Sequence, residues 1–246
     1  MIPADFCDLH QHVLWGLDDG PQTPEQMYAL LQQNVIEGIH LIFATTHAYP
    51  KVKPFNLELY RQRLNEADAY CEKRGWPLYV IGGCEIHYCS AVSDLLSDGL
   101  LPTLGSSRQV LIEFDSNTSL KDIGHASDKL YRAGFLPVVA HVERIDHLMH
   151  APERAITLRD DYGLAYQMNC ETAYNPNGLR EKRFVKKMLD AHAIDAIATD
   201  AHDVLIRPAH MKAAYQKIAA EQGADYANQL VSYGWQFMGE EGKAHG

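Results

Sequence analysis

The five cysteines of this sequence include no C-x-x-C pair, and no run of apolar residues approaches the length of a bilayer span. The first absence, with an odd cysteine count, argues against a disulfide framework. The second means that any membrane anchor comes from a partner, with no direct membrane insertion by this chain. The opening MIPADFCDL has neither the charged nor the apolar region of a secretory signal, so a reduced, cytoplasmic protein is expected. Positive charge is also scarce. Lys and Arg number 22 against 32 Asp and Glu, a formal net charge of -10 that excludes nucleic acid as an expected partner. The densest basic cluster, Arg180, Lys182, Arg183, Lys186 and Lys187, has helical spacing and reads as a solvated helix face. No linker or composition shift divides the chain, so one domain over 1–246 is expected.

Short β-branched or apolar runs alternate with longer amphipathic ones, the rhythm of strand and helix units around a parallel sheet. Strands are expected over 5–9, 41–45, 78–83, 110–114, 137–140, 165–169 and 194–198. Helices are expected over 24–37, 57–74, 120–133, 152–162, 180–192, 208–222 and 225–237. Thr23, Pro24 and Gln26 form a capping box at the first helix, which leaves 13–22 as a loop. The fold class is therefore α/β, as a distorted (β/α)7 TIM-like barrel. An open doubly wound sheet is the weaker alternative, because no Gly-rich fingerprint follows the first strand.

Nearly every expected strand ends on a residue able to bind metal. The first runs into His10 and His12; the second reaches His47, the third Glu85, the fourth Glu113, the fifth His141, and the seventh Asp200 and His202. Residues two apart on a strand share a side, so His10 with His12 and Asp200 with His202 can converge. In a parallel barrel these ends lie on one face, where active sites are built. An aspartate of the "LDDG" loop completes a set of five imidazoles and four carboxylates without sulfur. Such N/O ligation suits manganese, iron, zinc or magnesium.

With these residues in view, the sequence resembles the polymerase and histidinol phosphatase (PHP) superfamily, and within it the bacterial manganese-dependent protein tyrosine phosphatases of the CpsB/YwqE type. The stretches "DLHQHVLWGLDDGPQTPEQ", "EGIHLIFATTH", "GCEIHY", "LIEF", "AHVER" and "ATDAHDVLIRP" carry the resemblance, in the family's order and across essentially the whole chain. The resemblance implies a PHP-type barrel with three divalent ions, manganese foremost and iron, zinc or magnesium as alternatives. It assigns His10, His12, Glu85 and Asp200 to one ion, Glu85, Glu113 and His141 to a second, and Asp19, His47 and His202 to the third. Arg144 and Arg207 match the family's phosphate-gripping arginines, and Arg in any case presents a planar fork to phosphate oxygens. Departures from the family's usual residues fall at Gln11, at Ala48 and Tyr49, and at Phe114 with Asp115, beside ligands and at none of them.

The implied activity is phosphoric monoester hydrolysis by metal-activated hydroxide attack on phosphorus. Its implied substrate is a phosphotyrosine protein, the tyrosine-rich tail of a bacterial tyrosine kinase of capsule or exopolysaccharide synthesis. A small-molecule phosphatase acting on a histidinol phosphate-like substrate and a non-catalytic metal-binding regulatory domain are the alternatives. An amidohydrolase is disfavoured because no lysine ends a strand. No cysteine has an arginine six positions later, so the phosphate loop of thiol-dependent phosphatases is absent. His87 and His125 are unplaced candidates for a general acid, and Tyr49, Lys51 and Lys53 for a rim contact.

Overall fold

The computed structural model describes residues 5–239, so 1–4 and 240–246 of the expected domain lie outside the described residues. Among the described residues nine strands carry the fold: β1 (Phe6–Gln11), β2 (Ile39–Ala44), β3 (His47–Ala48), β4 (Tyr79–Gly82), β5 (Glu85–His87), β6 (Gln109–Glu113), β7 (Leu136–Val139), β8 (Ala165–Asn169) and β9 (Ala196–Ala198). Every ladder is parallel, in the orders β1-β2-β4 and β3-β5-β6-β7-β8-β9. The two sheets are arcs of one ring. The chain breaks for two residues between β2 and β3 and again between β4 and β5, where the path passes from one sheet to the other. Glu85 N donates to Thr46 O at 3.2 Å across that junction. At the far side Asp200 N donates to His10 O at 2.8 Å and His12 N to Ala201 O at 2.9 Å, so the end of β9 meets the end of β1. Each broken pair counted as one strand leaves seven positions in chain order, the expected distorted barrel.

The helices are α1 (Pro24–Glu37), α2 (Leu57–Arg74), α3 (Val92–Ser97), α4 (Leu120–Arg132), α5 (Asp146–His150), α6 (Pro152–Tyr162), α7 (Cys170–Tyr174), α8 (Gly178–Asp190), α9 (Met211–Gln222) and α10 (Ala224–Ser232). Thr23 caps α1 by accepting from Gln26 N at 3.4 Å, but Gln26 returns its side chain to Gln22 N instead of Thr23 N. The helix expected over 225–237 stops at Ser232 and tightens into a 3-10 turn, Tyr233–Phe237. Gly234 in that turn lies so close to β1 that a Cβ would collide with Cys7 Sγ. The basic residues of α8 are solvated, and Lys187 and Lys186 pair with Glu153 and Asp190 at 3.6 and 2.7 Å. Among the described residues no helix is long and apolar enough to cross a membrane.

Two apolar clusters divide the core. The larger one joins the sheet to the surrounding helices. The smaller contains Cys7, Leu9, Leu41, Phe43, Leu111, Val138, Ala196 and Ala198 from the strands, with Phe237 and Met238 and no residue of an α-helix. It is the inside of the ring, plugged from below by the 3-10 turn. Strand alternation carries this inner face onward: Leu41 and Phe43 lead to Thr45 and His47, Leu111 to Glu113, and Ala196 and Ala198 to Asp200. The same strands thus line an apolar chamber and then a polar mouth.

Candidate metal centre

A register shift between Asp8 and Gln11 lets β1 present His10 and His12 to the mouth. Gln11, between them, turns outward and exchanges hydrogen bonds of 2.8 and 2.7 Å with Asn34 of α1. The loop that follows is pinned from outside, where the Trp15 indole donates to Glu66 at 3.1 Å and the Arg63 guanidinium lies 3.4 Å over its ring. Gly20 brings the loop back against β1, and a Cβ there would run into the His12 carbonyl oxygen. The adjacent aspartates then diverge. Asp18 accepts from His12 Nδ1 at 2.8 Å, His47 N at 2.9 Å and Gly20 N at 3.0 Å. Asp19 turns to the mouth, with Oδ1 3.3 Å from His202 Nε2 and 3.5 Å from His47 Nε2.

Glu85 sits at the middle. Its Oε2 lies 2.9 Å from His47 Nδ1, 3.2 Å from His12 Nε2 and 3.3 Å from His10 Nε2, and Oε1 lies 2.8 Å from His141 Nε2. Despite this crowding Glu85 Oε2 has no aligned hydrogen bond, and neither do Glu113 Oε2, His47 Nδ1, His141 Nδ1 and His202 Nε2. His10 Nε2 and His12 Nε2 face each other at 3.3 Å, and the His12 and His202 rings stack at 3.9 Å. Buried polar atoms are normally paired, so lone pairs packed against one another mark a place shaped for cations. Four overlapping groups have ligand atoms within 4.8 Å of one another: His12, Asp19, His47 and His202; His10, His141 and Asp200; His10, His12 and Glu85; His47, Glu85 and Glu113. All nine residues expected from the sequence come together. Asp19, His47 and His202 share one group, as expected, and the groups overlap, with His141 also beside His10 and Asp200 and His47 also beside Glu85 and Glu113.

Electrostatics follows from this packing. Burial opposes the charge on Glu85, but the imidazoles of His10, His12 and His141 hold it well below the usual carboxylate range. Burial likewise works against Asp18, while His12 and the His47 and Gly20 amides bring its pKa down to about 2. Burial and the neighbouring His12 push the His202 imidazole down to about 4, the neutral form a metal ligand needs. Glu113 is raised, by burial and then by Glu85.

The one expected strand without a ligand at its end, β8, has a different part. Gln167 Oε1 accepts from His141 N at 2.7 Å and lies 3.0 Å from His10 Nδ1, so it selects the His10 tautomer whose Nε2 faces the mouth. Gln167 Nε2 donates to Asn169 Oδ1 at 2.8 Å, and Asn169 Nδ2 donates to Asp200 Oδ2 at 2.9 Å. Glu143 Oε1 accepts from Asn169 N at 2.9 Å. Sequence reasoning missed Asp18, Glu143, Gln167 and Asn169. Period-two alternation on β8 was a usable signal for Gln167 and Asn169, which point inward together. His141 and Asp200 have φ of 28° and 53°, left-handed backbone that turns their side chains off the strand direction.

Arg144 and Arg207 both reach the mouth, each with a terminal nitrogen on Asp200 Oδ2, at 2.9 and 2.7 Å. Tyr49 packs on His47 with ring centroids 4.9 Å apart and on His87 at 5.6 Å, which places it at the rim. Lys51 and Lys53 are exposed on the same loop. His87 Nε2 lies 3.1 Å from Asp115 Oδ1, and His125 is exposed on α4. All five cysteines are free and buried, and burial pushes the Cys71 thiol up to about 12 and raises those of Cys7, Cys84 and Cys170.

A family model described as capsular polysaccharide synthesis, CpsB/CapC, matches residues 6–235. Tyrosine-protein phosphatase CpsB of Streptococcus agalactiae serotype III is 30% identical over 236 residues, covering 92% of this chain and 94% of that one. Among solved structures, a chain from work describing YwqE from Bacillus subtilis and CpsB from Streptococcus pneumoniae as metal-dependent tyrosine phosphatases matches with a TM-score of 0.85 at 26% identity, over 94% of this chain and 94% of that one. Histidinol phosphate phosphatase from Lactococcus lactis, solved with zinc, L-histidinol and phosphate, shares the fold at a TM-score of 0.57 and 13% identity, over 91% of this chain and 93% of that one.

Proposed function

The chain belongs to the CpsB/CapC family of capsular polysaccharide synthesis, and from that premise we propose that it is a metal-dependent protein-tyrosine phosphatase. The observation that carries the reading is Glu85 Oε2, which has three imidazole nitrogens within 3.3 Å and no hydrogen bond. A carboxylate so placed would serve as a ligand to cations bound among these imidazoles. The residues that would hold three divalent ions, manganese first, are His10, His12, Asp19, His47, Glu85, Glu113, His141, Asp200 and His202. Bound there, the ions would supply a nucleophile from water near neutral pH and positive charge for the phosphoryl oxygens.

The chain's own groups account for the rest. Asp18 and Gln167 hold the His12 and His10 rings in one tautomer, with Nε2 toward the mouth. Arg144 and Arg207 are anchored on Asp200 and keep further N–H donors for a phosphoryl group, neutralising its equatorial oxygens as the ester bond breaks. A tyrosyl leaving group has a pKa near 10, so it departs with less help from an acid than an alkoxide would. The protein substrate is the phosphotyrosine-bearing tail of a bacterial tyrosine kinase of capsule synthesis, met in the cytoplasm. The five reduced, buried thiols are consistent with that compartment.

The test is hydrolysis of a phosphotyrosine peptide, a phosphoserine peptide and histidinol phosphate by metal-stripped protein, before and after adding manganese. Restored activity that favours phosphotyrosine is the expected result. Preference for histidinol phosphate, or metal uptake without turnover, would overturn the reading.

A further inference from the structure

Beside the metal centre lies a cavity of about 280 Å³ that the metal site does not use. Its walls come from the loop after β1, β3 with the residue before it and the loop after it, and the first turn of α2. Of the nine candidate ligands His47 alone lines it, and neither arginine does, so the cavity adjoins the centre without covering it. Leu17, Phe55 and Leu59 give it half-buried apolar walls, and Lys53 stands among the lining residues as a charge. Thr46, 1% exposed, also lines it, and its buried hydroxyl has no hydrogen-bond partner.

We propose that this cavity is a substrate subsite that takes an apolar or aromatic side chain of the phosphoprotein next to the phosphotyrosine, an inference that rests on the phosphatase reading above. Three observations favour this occupant. The volume falls below the roughly 300–1,000 Å³ of cavities that hold whole drug-sized ligands, and suits a single side chain. The shared wall at His47 sets the cavity beside the candidate metal centre, so a phosphotyrosine reaching that centre would carry its neighbouring residue toward the cavity. The apolar part of the wall, Leu17, Phe55 and Leu59, is half-buried and gives an apolar or aromatic side chain a surface to pack on. On the same loop Val52, 81% exposed between Tyr49 and Lys53, adds apolar surface outside the cavity.

The experiment uses manganese-loaded enzyme and two phosphotyrosine peptides that differ only in the residues flanking the phosphotyrosine, Phe in one and Gly in the other. Burial of one apolar side chain predicts kcat/KM about tenfold higher for the Phe peptide, expressed in KM. Leu59→Trp, which fills the cavity, should bring the ratio of the two peptides close to one; cooperative melting and metal content establish that the variant is folded. If it does not fold, the wild-type ratio and its loss in Phe55→Ala decide the matter. Equal cleavage of both peptides by the wild type would overturn the subsite and leave the phosphatase reading standing. A preference that survives Leu59→Trp would overturn the cavity as its source, and failure to cleave either peptide would overturn both readings.

Discussion

Along β2, Leu41 and Phe43 face the inside of the ring as packing, and four residues beyond Phe43 the same face presents His47; along β9, Ala196 and Ala198 give way to Asp200. The lower half is filled by side chains that need nothing beyond one another, and the 3-10 turn with Phe237 closes it. The upper half leaves buried carboxylate and imidazole atoms without hydrogen bonds and holds two non-glycine residues at positive φ. One strand set therefore supports two kinds of order. Apolar burial stabilises the lower half unaided, whereas the upper half is complete only with cations present. Damage below should appear as lost stability, and damage above as lost metal and lost turnover.

The largest effect that would sharpen this contrast is expected from Glu85→Gln. It should lower phosphotyrosine turnover by more than about a hundredfold, beyond what removal of an outer partner costs. Bound metal, measured by mass spectrometry, should fall with it while the circular dichroism spectrum is kept. Asp18→Asn comes next, because it removes the carboxylate that orients His12; metal affinity should weaken by about 10–100-fold, read by competition with a chelator. Gly234→Ala strikes the lower half. Its Cβ overlaps Cys7 Sγ and should cost about 1–3 kcal/mol in urea unfolding with metal stoichiometry intact. Reduced metal content in that variant would break the separation of the halves.

The smallest effect is a pH dependence. Asp18 has a folded pKa of about 2, below its ordinary value of 3.8, so its contribution is present above 3.8 and lost as pH falls through 2. Between pH 5 and 3 the metal-stripped wild type should lose about 1 kcal/mol more stability than Asp18→Asn. Parallel urea midpoints for the two proteins would contradict the assignment.

Much of the lower half was legible because strands and helices announce themselves by periodicity, and all seven expected strands appear in ring order. The helices α3, α5 and α7 were not legible, being five or six residues long, too short for a 3.6-residue period to show. The breaks that separate β3 from β2 and β5 from β4 were hidden within apolar runs. In the upper half, His and carboxylate side chains at strand ends were visible one by one, and alternation predicted that they meet. The choice of partner was not. "DDG" does not say which aspartate turns inward; Gly20 against the His12 carbonyl and the Trp15 clasp decide it in three dimensions. Nor does a sequence show the positive φ that brings His141 and Asp200 round to face Glu85 and His10, since that strain is held by the closing of the ring.

The central claim is that the polar mouth of the ring holds the divalent ions on which phosphotyrosine hydrolysis depends. Anomalous diffraction from crystals of fully active, manganese-restored protein tests it most directly. The account predicts manganese peaks among His10, His12, Asp19, His47, Glu85, Glu113, His141, Asp200 and His202. An active crystal with no peak among these side chains would contradict it.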